Sequence, residues 1–570
     1  MTESRRPSWL RAAAAALLLA ATTALAASGY DGWSEAFAAD WMRLSPERTT
    51  ATQYFSGAEQ DALDRQVTLP EDQRRVRQRA LARDGLAQLE RFMAGPLTPV
   101  QHSGAATMRW SLQRVLDAEP FEDHGFVFDQ LRGLQVSAVN FLTQSHPMRR
   151  PADVQSYLAR LRLLPARFDD GVARAQVRKF LEPAAANSLF VSALAERSAG
   201  IAALEPAARS QALAEAEALV ADQVLPAYRR VLVLLDELHP RTNDDAGLWR
   251  LPQGAQAYQQ ALAGNTTTSM SAQQIHQFGL REVARIEAEM DRVLRGLGRS
   301  DGSVGERMLE LGTELRIAAE PDLRPQILAR YAGYIRDAER RAVPLFNLRP
   351  KAPVEVRRVP ALTEATASAY YTMPTPDGSR PGIFWVPLRG PTFNPMGMRS
   401  LAVHEAVPGH HFQLALQQEQ ADLPRWRRLR VFGGGSAHSE GWALYAERLA
   451  IDEGWYADDP HSLLGALGSQ LFRARRLVAD TGLHELRWTR QQAIDYGIAV
   501  SEVERYVANP GQATAYMVGM LRILSLREEA RAAMGERFTL PGFHDVVLKA
   551  GSVPLEVLAD LVRRWAAAPG

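Results

Sequence analysis

The sequence predicts a mainly α protein carrying one small antiparallel β-sheet just ahead of a helix that holds metal-ligand residues. Two observations carry that reading. From about Ser45 to about Leu345, long Ala-, Leu-, Arg- and Glu-rich stretches such as RRVRQRALARDGLAQLERFM dominate, with apolar residues recurring at three- and four-residue intervals. Between Val354 and Leu388 the texture changes to short β-branched or aromatic runs, VEVRRV, ASAYYTM and GIFWVPL, separated by proline and by Asp377-Gly378.

At the N-terminus, MTESRRPSWLR precedes the apolar run AAAAALLLAATTALA, which ends in small residues near Ala24-Leu25-Ala26. A basic start, a short apolar stretch and a small-residue end describe a cleaved signal peptide over 1–27. The run is shorter than the roughly 20 residues of a spanning helix, so no stable membrane insertion is expected after cleavage. Arg5-Arg6 suggests twin-arginine export, but Pro7-Ser8 follows where an apolar pair belongs, which favours general secretion.

In the helical half, Gly254 and Gly264-Asn265-Thr266 read as loop, followed by a helix entered through Ser269 to Ser271. No period of 20 to 50 residues recurs, which argues against a solenoid. The length of 570 residues allows one large domain or several. A net charge of +1 offers no electrostatic footprint for nucleic acid. The chain has no cysteine, so a transition-metal site must use His, Asp and Glu.

Beyond the sheet, Asn394-Pro395 reads as an N-cap with proline at the first helical position, opening a helix through MGMRSLAVHEAV. His404 and Glu405 then stand near its end, at the head of a metal region spanning about 395–450. Four of the twelve histidines, His404, His410, His411 and His438, fall in this short stretch. The familiar H-E-x-x-H pattern sets two imidazoles one helical turn apart. Here the fourth residue after His404 is Pro408, which cannot continue a helix. On a straight helix the sixth position would face elsewhere, and the seventh would lie about 10.5 Å along the axis. The helix must therefore break at Pro408-Gly409. The reading favours His410 as second ligand with His411 facing substrate or supporting the site; His411 as the ligand is the alternative.

Without cysteine, the third ligand is expected from a carboxylate downstream. GGGSAHSEGWALYAERL offers Ser436 as N-cap, Glu440 in the first turns, and Glu447 seven residues on along the same face. Glu440 is the expected ligand, Glu447 the residue that orients an imidazole, and His438 a supporting or substrate-facing group. Gly433-Gly434-Gly435 reads as a flexible approach to this helix. Two His and one Glu suit a single Zn2+ with an open position for water, and Glu405 beside it suits a general base.

These segments resemble a known family. HEAVPGHHFQ, SEGWALYAE, DTGLHELRWTRQQAIDY and EVERYVANPGQATAYMVG, with looser matches in LWRLPQGAQAY and NTTTSMSAQQIHQFGLREV, are similar to the bacterial DUF885 proteins with their HExxPGHH motif. That family is grouped with the zincin-like metallopeptidases. The resemblance implies one large helical domain over 28–570, with a deep cleft lined by helices from 465–570, and short peptides as substrate. It supports His404, His410 and Glu440 as ligands with Glu405 as base. It further implies that Asp480 and His484 pair at the cleft and that Tyr516 meets the oxyanion; Arg505 is a candidate for a peptide's terminal carboxylate, since arginine meets carboxylates in a two-pronged geometry. The lipoprotein cysteine of many relatives is missing, which points to a soluble periplasmic or secreted enzyme. Two other expectations share these residues: a zinc amidohydrolase acting on a non-peptide amide, and a non-catalytic binding or scaffold protein with a vestigial metal site.

Overall fold

The computed structural model describes residues 29–569 except 127–128, 130–132, 172–187, 239–244, 319–321, 361–363, 365–366, 376–377, 379, 391 and 434. The expected signal peptide lies outside the described residues. Among them no helix is long and apolar enough to cross a membrane.

Helices dominate, as the three- and four-residue periodicity requires. The chain opens with α1 (Tyr30–Arg43) and a helical hairpin of α2 (Glu71–Met93) and α3 (Pro99–Asp117). Thr98 and Gln101 close a reciprocal capping box at the start of α3, which satisfies N–H groups that the first turn leaves open. The next helix, α4 (Pro151–Gly171), packs with residues 189–238 into an apolar cluster of its own around Tyr157, Phe168 and Tyr228.

The main core begins at α5 (Gly254–Thr266) and α6 (Ala272–Gly296). Gly264-Asn265-Thr266 is the last turn of α5 rather than the loop expected. Asn265 donates to the carbonyls of Ala261 and Pro510, and Thr267 ends the helix at φ 56°. Ser271 caps α6 through a capping box with Gln274, as its sequence indicates.

Two small sheets flank α7 (Arg324–Arg341). β1 (Ile317–Ala318) pairs antiparallel with β5 (Thr392–Phe393). β4 (Gly382–Val386) is the centre of the other, antiparallel to β3 (Tyr370–Thr372) on one side. On its second side it takes β2 (Val354–Arg358) in parallel, which sequence runs alone did not suggest; the 359–381 connection is long enough for that crossover.

The rest is α8 (Met398–Glu405), α9 (His410–Glu419), α10 (Ser436–Asp452), α11 (Pro460–His484), α12 (Val500–Ala508), α13 (Ala515–Met534), α14 (Leu540–Ala550) and α15 (Leu555–Ala567). Helix α8 begins after Gly397, later than the Asn394 cap expected. Asn394 instead accepts from the Met396 N–H, making a local turn that competes with the helix start. Helix α10 likewise begins at Ser436, with Gly435 before it. That glycine marks close packing, because a Cβ there would lie 2.3 Å from the carbonyl oxygen of Gly264.

Helices α10 and α13 cross at a pair of glycines. A Cβ on Gly519 would stand 2.0 Å from the Ala437 carbonyl oxygen, and one on Gly441 2.5 Å from the Gly519 backbone. Bare backbone contact of this kind fixes the depth of α10 in the core, beside the fully buried Trp442, Leu444 and Tyr445. Each such apolar side chain contributes about 1.5–3 kcal/mol when buried. Gly519→Ala is expected to destabilise by about 1–3 kcal/mol or more, because backbone must move. Gly264→Ala has open space within 4 Å and sits in a helix, so its melting temperature should hold or rise. Thermal melts of the two variants side by side check this; equal melts would remove the crossing from its role.

Candidate metal centre

The centre grows from a break in a helix. Pro408 ends the hydrogen-bond ladder, so α8 stops at Glu405 and α9 starts at His410. Gly409 closes the turn at a place with no room for a side chain, since a Cβ would lie 1.9 Å from the His404 carbonyl oxygen. Trp442 of α10 donates its indole N–H to the Pro408 carbonyl at 2.9 Å, satisfying a buried acceptor that the break exposes. The fold-back brings the rings of His404 and His410 to 4.9 Å between centroids, at 83° to each other.

Glu440 enters from α10. Its Oε2 lies 3.5 Å from Nε2 of His404 and 3.3 Å from Nε2 of His410. Two ligands of one tetrahedral zinc, each about 2.0–2.1 Å from the ion, stand about 3.3–3.4 Å apart. The three side chains have the spacing and the donor set that fit such an ion, their ligand atoms all within 4.8 Å of one another. Among the described residues they form the one His/Cys/Asp/Glu group with that geometry. Glu440 keeps 23% of its side chain exposed, so the group opens to solvent.

His404 is oriented from behind. Its Nδ1–H donates to Oε1 of Glu447 at 2.7 Å, leaving Nε2 for the Glu440 side. Glu447 is fully buried and accepts from Ser469 at 2.7 Å and from Ser400, with Arg473 3.9 Å away. Burial raises the Glu447 pKa, but the Arg473 charge and the His404 hydrogen bond bring it below the usual carboxylate range. Burial works against a charged His404, yet hydrogen bonds to Glu440 and Glu447 push its pKa up to about 10. Glu440 is likewise opposed by burial, and the His410 and His404 rings hold it well below 4.5. A metal ion held there would compete with protons for the same atoms. His410 Nδ1 is buried without a partner among the described residues, so a carboxylate orients only His404.

Glu405 is 6% exposed, and its carboxylate has no hydrogen-bond partner among the described residues. Burial raises its pKa, with the His410 and His404 charges pulling the other way.

His411 points away from Glu440. Its Nε2–H donates to the Ala352 carbonyl at 3.0 Å, and Nδ1 accepts from the Tyr371 hydroxyl at 2.9 Å, which ties α9 to the sheet. Burial pushes it down to about 4, so it is neutral at physiological pH. Of the two neighbouring histidines, His410 is the one that faces Glu440. His438 is fully buried with Nδ1 at the backbone of Val553, 2.9 Å from its carbonyl, and makes no contact with the three ligand atoms.

Asp480 and His484 do not pair. Asp480 accepts from the Tyr258 hydroxyl at 2.6 Å and the Gly511 N–H at 2.9 Å. His484 accepts from the Leu248 N–H at 3.1 Å through Nδ1 and donates to the Tyr506 carbonyl at 3.1 Å through Nε2. Both are fully buried, where an unpartnered backbone group is costly, and the backbone has claimed both side chains. The catalytic place expected for His484 is thus taken by a structural one. Arg505 is not free either: it donates to Gln512 at 2.6 Å and to the Tyr516 hydroxyl at 3.3 Å, with Glu502 at 3.5 Å. Tyr516 lies under Arg476 and Arg473, 4.7 and 5.9 Å from its ring centre. Arg473 thereby links it to Glu447.

Sequence reasoning missed Ser400, Ser469, Arg473 and Trp442. Ser400 stands one turn before His404 and Ser469 one turn before Arg473, a spacing that marks shared faces but no chemistry.

The family model described as "Bacterial protein of unknown function (DUF885)" matches residues 48–562. The chain belongs to this family. It is similar to a protein from Colwellia psychrerythraea, described as a putative lipoprotein, with 31% identity, a TM-score of 0.84, and coverage of 94% of this chain and 99% of that one. The fold is shared with a putative lipoprotein of unknown function from Shewanella oneidensis, at 20% identity and TM-score 0.69, covering 94% and 100% of the two chains. No curated protein matches the chain. For this DUF885 protein the geometry gives two expectations.

Glu447→Ala removes the partner of His404 Nδ1 and is expected to weaken zinc binding about 10- to 100-fold, read by competition with a chelating dye. Unchanged affinity would mean that Glu447 orients nothing. Asp480 is pushed up to about 7 by burial, against the hydrogen bonds from Tyr258 and Gly511. The unfolded chain titrates it near about 3.9. Between those values the folded state binds the extra proton, so this group's contribution to stability falls as pH rises from about 4 to about 7. Asp480→Asn keeps an oxygen for both donors and is expected to flatten that part of the melting-temperature profile; the same slope in both proteins would refute it.

Proposed function

We propose that this DUF885 protein is a zinc-dependent hydrolase of peptide bonds in short peptides. One observation carries the reading: two imidazoles and a carboxylate converge at tetrahedral-ligand spacing beside a buried Glu405 whose carboxylate is committed to nothing else. Structural zinc sites use four protein ligands, and three leave room for chemistry.

When bound, zinc supplies Lewis acidity, lowering the pKa of a water toward about 7 and polarising a carbonyl. His404, His410 and Glu440 would hold it, and Glu447 keeps His404 in the tautomer that presents Nε2. Glu405 then accepts a proton from the attacking water and passes it to the amine nitrogen as the C–N bond breaks. The Tyr516 hydroxyl is the candidate donor to the developing oxyanion, with the Arg473 and Arg476 guanidiniums against its ring. A relative described as a putative lipoprotein supports a place in the cell envelope or outside the cell.

Metal analysis of the purified chain, followed by digestion of a peptide library and of simple N-acyl amides, tests the reading. Zinc at one ion per chain with peptide cleavage is expected; turnover of the amides alone would move the assignment to an amidohydrolase. Glu405→Gln is expected to lose about 100-fold or more in kcat at full metal content. Metal retained and turnover unchanged would take the base role away from Glu405.

A further inference from the structure

The two imidazoles of the centre are supported unequally. His404 uses both ring nitrogens, Nε2 toward Glu440 and Nδ1 on the carboxylate of Glu447. His410 uses one. Its Nε2 lies 3.3 Å from Oε2 of Glu440, while Nδ1 is buried with no hydrogen-bond partner among the described residues. An imidazole that ligates a metal through Nε2 carries its proton on Nδ1, so this atom is a donor in need of an acceptor. Metal-bound histidines almost always give that proton to a carboxylate, a carbonyl or a water.

Gln413 stands three residues later on α9 and is 1% exposed. Its amide Nε2 donates to the His438 carbonyl on α10 at 3.4 Å, and its Oε1 is buried with no partner among the described residues. The opposite amide orientation would set two carbonyl oxygens against each other, so Oε1 is the atom left over. Helices α9 and α10 thus meet at two successive rungs. His410 reaches Glu440 at one and Gln413 reaches His438 at the other, three residues apart on α9 and two apart on α10. Each rung spends one polar atom of its α9 side chain and leaves the second unused. The unused atoms are a donor and an acceptor, on side chains whose Cβ atoms stand about 5–6 Å apart at this helical spacing.

Other acceptors at the centre are committed. Glu440 faces the Nε2 atoms, and Glu447 serves His404 and two serines. Nε2 of His438 is also buried without a partner, but that ring is held at Val553 through its Nδ1 and belongs to the other helix. Gln413 shares a helix with His410, so their spacing does not depend on how α9 sits against α10.

We infer that Gln413 is the positioning residue of His410: its amide oxygen takes the Nδ1–H, directly or across one water, when a metal is held at Nε2. This rests on the zinc reading above and assigns the support of that site's second imidazole. A bridging water would accept from Nδ1–H and donate to Oε1, so the acceptor is the same residue in both cases. The bond fixes the tautomer and the angle of the ring, and it raises the basicity of Nε2 toward the ion. A neutral amide supplies less of this than the carboxylate behind His404, which leaves His410 the more weakly held of the two imidazole ligands.

The test measures zinc affinity of the full chain by competition with a chelating dye, beside the melting temperature of the metal-free protein. Gln413→Met keeps the length of the side chain and removes the amide. Affinity should fall about 10-fold, the low end for such support, with metal-free melting unchanged. Gln413→Glu supplies an acceptor at the same reach and is expected to restore the affinity or exceed that of the unsubstituted protein, a recovery that lost packing would not show. Unchanged affinity in Gln413→Met overturns the inference, and so does a loss that Gln413→Glu fails to recover; in both cases zinc on the unsubstituted protein leaves the metal reading standing. A loss in His438→Asn, which keeps an N–H for the Val553 carbonyl, with none in Gln413→Met would pass the role to His438. No zinc on the unsubstituted protein removes the metal reading and this inference with it.

Discussion

Everything at the centre depends on a turn that has no room for a side chain. The His404 carbonyl occupies the space a Cβ on Gly409 would need, and Pro408 removes the N–H that would have continued the helix. Together they convert a six-residue separation, which a straight helix cannot use, into two rings 4.9 Å apart. The turn is held from α10 by Trp442, two residues after Glu440. One helix thus fixes both the break and the third ligand, so their spacing is set by a single rigid body. The glycine crossing of α10 with α13 then fixes that body against the helix that carries Tyr516.

Behind the ligands the structure pays heavily in desolvation. Glu447 is an ion with no access to water, a state that costs several kcal/mol unless its lone pairs are filled. Here Ser400, Ser469, His404 and Arg473 fill them. The result is an imidazole whose tautomer is set before any ligand arrives, so little reorganisation is left for binding. Arg473 also connects this buried anion to the Tyr516 ring, so the support of His404 and the setting of Tyr516 share one side chain.

The parts legible in the sequence are those decided by neighbours in the chain. Proline and glycine at 408 and 409 announce a break wherever they stand, and the break favours His410 while leaving His411 open until its bonds to Ala352 and Tyr371 are seen. The helical half follows from its periodicity, and β3 and β4 from their β-branched and aromatic runs. Several misplacements share a cause, a long-range partner that overrides local preference, whereas Asn394 turns on Met396 and Arg505 meets Glu502 and Gln512 close by in the chain. Gly264-Asn265-Thr266 is helical because Asn265 finds carbonyls at Ala261 and Pro510. Asp480 and His484 share a helix face, but Tyr258, Gly511, Leu248 and Tyr506 reach them first, from segments distant in sequence. Arg505 resembled a free cation until Gln512 and Glu502 were placed beside it. Similarity of a segment to a family carries its residues across, but not the partners that give them roles.

Accounting for partners sorts those roles better than residue type does. His484, His438 and Asp480 have the composition of an active site, yet the backbone holds all three, and a group that must release its partner to act begins at a disadvantage. The groups left without a protein partner are fewer. Near the ligand atoms they include the Glu405 carboxylate, one position after His404, and Nδ1 of His410, neither with a hydrogen-bond partner among the described residues. A buried carboxylate without a partner is costly to ionise, and that cost falls only when something enters beside it. On the proposed reading a water at the ligands and a peptide amide beside it do so together. The water gives Glu405 a proton to move, and the amide nitrogen receives it as the C–N bond breaks. On this argument the carboxylate beside His404 is kept clear of protein partners so that it can carry a proton from water to substrate.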